Sequence, residues 1–461
     1  MITVRAQRPG QLASFGEADP VSEAPHPDSH QVRLTEPEAL TNLHTVLELC
    51  ASGQVKCSAT TGRPSAATIG VIGAHLAGGD FYPDEPIAAF AWPLLLQSGG
   101  LAKLEGTRLQ PTPQGRRALA APAADAIRRL WHRWLAHGVI DEFSRIEHIK
   151  GQRSRNVLTA VKNRRPVIGS ALATCRPGEW VAVDDLFAVM QRRRLNPSIA
   201  RSERALWKLY LVDPEYGSLG YDGCHGWSII EGRYTLAVLF EYAGTLGLID
   251  LDYVSAAGAR DDFRHNWGGD YLDTLSRYDG LRSIRLNDLG AYALGLTDTY
   301  QPPAPAHSGG VPLKVLANLD IVATGELSAA DRLMLDAYAR QSADHVWTMS
   351  AASLLSAIDA GHDIARFAAL LDERSEHNLP GTVSTLFADV VRRAGLLTAI
   401  GDVSVIECAD PATAALIAND RNLRPLCRLL GDRHLAVRHD KDAKFRKALI
   451  RLGYVAPRQK Y

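Results

Sequence analysis

The sequence predicts an α+β fold, mostly helical, divided among several small modules. Three observations lead there. Apolar residues recur at helical spacing in separate stretches, as in Leu40, Leu43, Val46, Leu47 and Leu49, or Ile127, Leu130, Trp131, Trp134 and Leu135. Short strand–turn–strand signals stand between those stretches, as in Leu101 to Gln110 around Glu105-Gly106. A Pro- and Gly-rich stretch at 297–312 interrupts both patterns and reads as a linker. With 461 residues, 46% hydrophobic and 22% charged, the chain is long enough for about three domains with real cores. Collagen-like, mucin-like and wholly disordered classes are excluded.

Residues 1–37, rich in Pro, Ser, Glu and Asp, read as a flexible tail. Order is expected from Glu38, with a first helix that Gly53 ends. Val55–Ser58 suits a short strand. Ser65 opens a short helix carrying Ile69, Ile72 and Leu76, and a longer apolar helix ends at Gly99-Gly100. Leu101, Lys103 and Leu104 then alternate, Glu105-Gly106 turns, Arg108-Leu109-Gln110 returns, and Thr112-Pro113-Gln114-Gly115 leads into the next helix. This succession over 38–122 resembles the winged-helix domains of bacteria. The resemblance implies a hairpin wing whose cations sit on phosphates; the alternative is a winged helix used only for packing.

Residues 123–177 form a basic helical segment. Arg128, Arg129 and Arg133 lie outside the Ile127 stripe, and Arg153, Arg155, Lys162, Arg164 and Arg165 follow. Such a run suits a phosphate-facing surface or a plain solvated face. A second winged-helix-like domain is expected at 178–296, from strand Trp180–Ala182 through a helix beginning at Asp184 and closing on Arg192, Arg193 and Arg194. The helix dipole favours cations at that end, so part of the triple arginine needs no nucleic acid. A strong helix from Arg233 and a turn at Gly247 come next. The phrase LRSIRLNDLGAYAL then parallels the closing element of the first module, in acidic surroundings that suit packing on protein.

Residues 313–461 open with a strand run, Val315–Ala323, and a Ser328/Asp331 capping box that starts a helix. A short strand ends at Thr348, Ser350 caps a helix stopped by Gly361, a third helix runs through Phe367, Leu370 and Leu371, and Leu379-Pro380 starts a fourth. The strand DVSVIECAD, a helix from Pro411, the strand HLAVRHD and a terminal helix complete the module. The pieces LANLDIVATGELSAADRLMLDAYA, VWTMSAASLLSAIDAGHDIARFAALLDERSEHNLPGTV, VIECADPATAALIANDRNLRPL and FRKALIRLGYV resemble the helicase-associated domain of xeroderma pigmentosum B-type helicases and related bacterial proteins. The resemblance covers nearly a third of the chain. It implies an accessory α/β module of DNA-processing machines that contacts DNA or a motor, and it does not by itself imply a motor here.

Net charge is zero, 51 basic against 51 acidic groups, but the charge lies in blocks. Segment 101–210 carries +12 and 421–461 carries +9, against −5 over 1–100 and −8 over each of 211–310 and 311–420. Blocks of this kind suit a nucleic-acid footprint or one half of a protein contact. The candidate DNA-binding residues of the first block are Arg108, Arg116, Arg117, Arg128, Arg129, Arg153, Arg155, Lys162, Arg164, Arg165, Arg192, Arg193 and Arg194. Those of the second are Lys441, Lys444, Lys447 and Arg451, at steps of three and four opposite Phe445, Leu449 and Leu452. That stripe suits a phosphate track or simple amphipathicity. Arg421, Arg424 and Arg428 are expected to repeat it on the preceding helix.

No catalytic set emerges. The GxxxxGK[ST] phosphate cradle is absent, so Asp184-Asp185 reads as a helix cap rather than a magnesium-binding strand end. HExxH, GxSxG and SxxK-type sets are absent too. His439-Asp440-Lys441 begins a phospholipase-type nuclease pattern, but Arg446 follows where Asp is needed. Asp442 with Lys444 is half of a restriction-type centre, which needs further carboxylates to hold Mg²⁺. Cys175 and Cys224-His225 lack the paired spacing of a zinc site. Six cysteines with no CxxC suit packed thiols in a reducing cytoplasm. No apolar run reaches the ~18 residues of a membrane span, and the first residues lack the apolar core of a secretory signal.

No metal or cofactor is therefore expected. The expected function is a cytoplasmic, non-catalytic DNA-binding accessory subunit of a defence or repair complex. Its partners would be duplex or single-stranded DNA and a helicase, ATPase or nuclease protein, with no membrane. The alternatives are a protein-only scaffold or adaptor, a transcription regulator, and a cryptic metal-dependent nuclease.

Overall fold

A computed structural model of the chain describes residues 30–119, 121–154, 156–221, 226–302, 312–327, 329–360, 362–375, 377–397 and 403–456. It is α+β with several small sheets. Two compact units divide between Phe387 and Ala388.

The first unit begins with strand β1 (Gln31–Arg33) and helix α1 (Thr35–Ala51). Ser65 accepts the Thr68 N–H and starts α2 (Ala66–His75). Helix α3 (Ala88–Gly99) is started from a distance. The Asp80 carboxylate accepts the N–H groups of Ile87, Ala88 and Ala89 at 2.8–2.9 Å, donors that a helix start otherwise leaves unpaired. Gly100, at φ 72°, ends the helix in the left-handed conformation. The hairpin of β2 (Ala102–Glu105) and β3 (Arg108–Pro111) pairs Leu104 with Leu109 and Glu105 with Arg108, and Lys56 bridges to Arg108. Helices α4 (Pro113–Leu119) and α5 (Ala123–Ala136) follow, with Ile127, Leu130, Trp131 and Trp134 buried. The predicted order of helix, short strand, two helices and hairpin is thus present over 35–111 except that the strand expected at Val55–Ser58 is reduced to isolated bridges at Lys56 and Cys57.

Next come β4 (Ile149–Lys150), α6 (Val161–Leu172), β5 (Trp180–Ala182), α7 (Val183–Arg192), α8 (Glu203–Leu206) and β6 (Tyr210–Leu211). A continuous helical stretch over 228–244 is α-helical at α9 (Arg233–Ala237), π-wound on either side, and buried almost throughout. Strands β7 (Ile249–Tyr253) and β8 (Leu281–Leu286) and helix α10 (Asp288–Ala293) complete this part. The sheet runs β1-β7-β8-β5, antiparallel throughout. In 178–296 a long irregular segment, rather than a tight wing, joins β7 to β8.

The expected tail at 1–37 is shortened by this pairing. Val32 lies opposite Asp252, and α1 starts three residues before Glu38; residues 1–29 lie outside the described residues. The expected divisions 38–122, 123–177 and 178–296 also give way to one apolar core running from Ala39 to Ala293. No part covers its own apolar face. Trp134 of α5 stacks on Tyr242 at 4.6 Å, and Phe81 meets Phe240 edge-on at 5.2 Å.

Beyond the linker, β9 (Leu313–Val315), β10 (Asp320–Ala323), α11 (Ala329–Tyr338), β11 (Ala339–Ala343) and β12 (Val346–Met349) build a sheet of order β11-β12-β10-β9. Ser350 and Ser353 form a reciprocal capping box for α12 (Ala351–Asp359). Helix α13 (Ile364–Arg374) buries Phe367 and Leu371, and α14 (Gly381–Ala394) follows. The Ser328 cap and the Gly361 stop lie outside the described residues. Helix α11 packs on α1, where buried Glu48 pairs with Arg366 and stands 3.8 Å from His362. The compact unit therefore runs on past the expected boundary at 297–312.

The second unit contains β13 (Val403–Glu407), α15 (Pro411–Asn419), β14 (Cys427–Leu430), β15 (His434–Arg438) and α16 (Asp442–Arg451). Its antiparallel sheet runs β13-β15-β14 over a core that includes Leu423, Leu435, Val437, Phe445 and Leu449. The expected helix through Arg421, Arg424 and Arg428 does not form. Asp420 accepts the N–H groups of Asn422 and Leu423 at 2.9 and 3.1 Å, making a turn. Pro425 cannot continue a helix, and Arg428 falls on β14.

Candidate nucleic-acid interface

The two helices α2 and α3 carry no Lys or Arg. Eleven of the twelve residues of α3 are buried. In helix-turn-helix proteins the second helix of such a pair enters the major groove. Here it is core, so it cannot present base-reading side chains. The outward elements are the hairpin and α4. Arg108 is exposed, and so are Arg116 and Arg117, whose guanidinium groups donate to the carbonyls of Pro111 (2.9 Å) and Pro113 (3.4 Å). Lys103 pairs with Glu105 on the hairpin at 2.8 Å. On α5, Arg129 is exposed, whereas Arg128 is half-buried with its guanidinium 4.5 Å over the Tyr292 ring.

Two predicted contacts are corrected by burial. Arg164 and Arg165 are 0% and 1% exposed. Arg164 pairs with Asp141 and stacks on Tyr234 at 4.9 Å. Arg165 pairs with Glu142, donates to the carbonyls of Trp134 and His137, and lies 4.1 Å over the Trp134 ring. The physical reason is Glu142, itself fully buried. A buried carboxylate needs a partner, and the arginine of α6 supplies it. Burial still holds the Glu142 carboxyl above its ordinary range, opposed by Arg165. These cations clamp α6 to the segment after α5 and cannot reach a phosphate.

Arg153 remains exposed and lines two adjoining clefts, of about 320 and 570 Å³; Arg63, Lys150 and Tyr210 share the larger one. Arg155 lies outside the described residues. Lys162 is exposed on the first turn of α6, and Arg192, Arg193 and Arg194 are exposed at the end of α7, Arg194 at φ 57°.

The second unit carries a cleft of about 320 Å³. Arg424, Arg428, Arg438 and Lys441 line it together with Val403, Leu426 and Ala436. Arg438 is held by a two-pronged contact to Asp440, and the Lys441 ammonium donates to the Pro425 carbonyl at 2.9 Å. Lys441 thus belongs to the cleft, one residue ahead of α16, rather than to the helix stripe. Lys444, Lys447 and Arg451 are exposed along α16, while Arg446 folds back on Asp442 at 2.7 Å. Among the described residues, Arg421, Arg424, Arg428, Lys444, Lys447 and Arg451 form no ion pair. Sequence reasoning missed Arg438; its place at the end of the strand HLAVR was the available signal.

Among the described residues no group of three or more His, Cys, Asp or Glu side chains could hold a metal ion, and no helix is long and apolar enough to cross a membrane. The five described cysteines are free and buried. No curated protein matches the chain. Residues 313–429, about a quarter of the sequence, match the family model described as the helicase conserved C-terminal domain. That match supports a helicase-associated domain in the C-terminal part of this chain, where the basic cleft begins.

Proposed function

We propose that this protein is a non-catalytic DNA-binding accessory subunit of a DNA-processing complex, of the kind that serves defence or repair. The basic surface of the second unit grips the DNA backbone, the winged-helix-like hairpin adds phosphate contacts, and the helicase-associated domain docks a helicase or nuclease partner. One observation carries the reading. Six cations of the second unit are exposed and free of ion pairs among the described residues, beside a cleft rimmed by four cationic side chains, two of which are among those six. A surface of this kind attracts polyanions by phosphate neutralisation. The similarity of residues 313–429 to a helicase domain supports DNA as the polyanion. With α3 buried, contacts are to the backbone rather than to base edges.

The test is a titration of the full chain against labelled duplex and single-stranded DNA at about 50 and 200 mM salt. The triple variant Lys444→Glu, Lys447→Glu, Arg451→Glu is expected to bind more weakly and to lose about three units of salt slope, with an unchanged melting temperature. Absence of salt-dependent binding by the natural protein at the lower salt overturns the reading and makes these cations protein-facing.

A further inference from the structure

The sheet of the second unit has one covered face and one open face, and its register fixes which side chains share each. Ser404, Val437 and Cys427 lie opposite one another, as do Ile406, Leu435 and Leu429. Ile406, Leu435, Val437 and Cys427 of this set belong to the core, on which α15 and α16 pack. The alternate set points the other way. There Val403 lies opposite Arg438, Val405 and Arg428 lie on either side of Ala436, and Glu407 and Leu430 lie on either side of His434. Val405 is 57% exposed and Leu430 43%, so apolar surface on this face stands in water.

Charge on the open face is segregated along the strands. Arg428 and Arg438 stand toward the end where β13 begins and β15 finishes, and Arg424 and Lys441 join them around the cleft of about 320 Å³. The exposed carboxylates Glu407 and Asp432 stand at the opposite end, Glu407 paired with Arg433 at 2.9 Å. At the cationic end the Asp440 carboxylate is already held by Arg438. Between the cations the cleft is walled by Val403, Leu426 and Ala436. Four cations beside one paired carboxylate attract an anion. The apolar wall is covered only if that anion carries apolar surface of its own.

We infer that this cleft holds an unpaired nucleotide of single-stranded DNA, with its phosphates on the cations and its sugar and base on the apolar wall. A duplex turns its bases inward and presents phosphates on a convex surface. It can neutralise the arginines but leaves the wall wet. An unpaired strand can enter a cleft of this size and cover the wall, so it gains apolar burial together with phosphate contact. An acidic peptide matches the cations too, but the similarity to a helicase domain extends to Leu429, into β14 itself, and favours DNA. The inference rests on the DNA-binding reading and adds the form of DNA and the place where it is selected.

The experiment measures binding of the full chain to oligo(dT) and to a duplex of equal length, each at about 50 and 200 mM salt. The natural protein is expected to prefer the single strand by about tenfold at the higher salt, where phosphate attraction is weaker. Arg424→Ala/Arg428→Ala should lose that preference, along with about 1.4 units of salt slope on oligo(dT). Both arginines are exposed and free of ion pairs among the described residues, so the melting temperature should not change. Arg424→Lys/Arg428→Lys should keep the slope. Val403→Ser/Val405→Ser should weaken binding to oligo(dT) with the slope unaltered, the mark of an apolar contact. The α16 triple variant should weaken both forms alike and keep the preference. Equal affinity for the two forms, or a preference that survives both alanines, overturns the inference alone. Displacement of oligo(dT) by polyglutamate of equal charge as readily as by free oligo(dT) also overturns it and gives the cleft to an acidic protein segment. Failure to bind either form at the lower salt overturns the DNA-binding reading, and the inference falls with it.

Discussion

Replacing Arg165 by Ala should destabilise the fold without acting on DNA directly. Arg165 gives Glu142 its charged partner and donates to two carbonyls at the end of α5. Removing it leaves a fully buried carboxylate with the Tyr234 hydroxyl, 3.3 Å away, as its remaining side-chain partner. Stranding one member of a buried pair costs about 3–5 kcal/mol. That is about a fifth or more of the roughly 5–15 kcal/mol that holds a typical domain together. Urea unfolding of the variant and the natural protein gives the difference from midpoint and slope. The pH dependence has a definite sign. Without Arg165 the Glu142 carboxyl, already raised by burial, rises further. The folded variant then keeps a proton that its unfolded chain has released. The deficit is greatest at neutral pH and shrinks as pH falls toward the ordinary carboxylate range. Removing both charges, Arg165→Met with Glu142→Leu, should cost much less than removing Arg165 alone. A loss below about 1 kcal/mol, the behaviour of a surface residue, together with weaker DNA binding, would refute the burial and restore Arg165 to the interface.

Asp80→Ala should cost about 2 kcal/mol in the same unfolding assay, because three N–H groups at the start of buried α3 lose their acceptor; an unchanged midpoint contradicts this. His44 and His362 are held neutral chiefly by burial, with Arg366 lowering both and Glu48 opposing. The unfolded chain takes up protons near pH 6.5 that the folded chain refuses, so melting temperature should fall from about pH 7 downward. His44→Asn/His362→Asn should flatten that slope, and an unaltered slope rules these residues out. The Cys57 thiol is pushed up to about 11 by burial, and Cys50 is raised as well. Thiol-exchange reagents at about pH 8 should therefore leave both unmodified in the native protein and reach them in denaturant; rapid native labelling of either contradicts the buried placement.

Local structure was legible wherever a short pattern decided it. The α5 stripe, the hairpin around Glu105-Gly106, and the Ser65 and Ser350 caps each depend on residues three or four positions apart. The misplaced features depend on distant partners. Arg164 and Arg165 look like a solvated run until Asp141 and Glu142, 23 positions earlier, are brought beside them. Strand β1 has only three residues, and its pairing partner lies over 200 positions away. The run Arg421–Arg428 kept helical spacing, but Asp420 and Pro425 outweighed it. The exposed cations of α16 were found because their direction follows from Phe445 and Leu449 facing inward. The open face of the β13-β15-β14 sheet was not, since register and the helices behind it decide which side chains of these short strands lie outward.

The sheet order β1-β7-β8-β5 has a consequence for synthesis. Thr35, at the head of α1, donates its hydroxyl to the Ile249 carbonyl at 2.6 Å and its N–H to Asp250 at 3.0 Å. These partners leave the ribosome more than 200 residues later, roughly 10–45 s at ordinary translation rates. During that interval α1 has no sheet behind it, and its apolar face is open to chaperones or to neighbouring nascent chains. A fragment ending near residue 122 would keep its hairpin yet lack the strand that anchors its first helix. The head of this protein is thus committed to its fold only once the chain has been made past Tyr253, just beyond its midpoint.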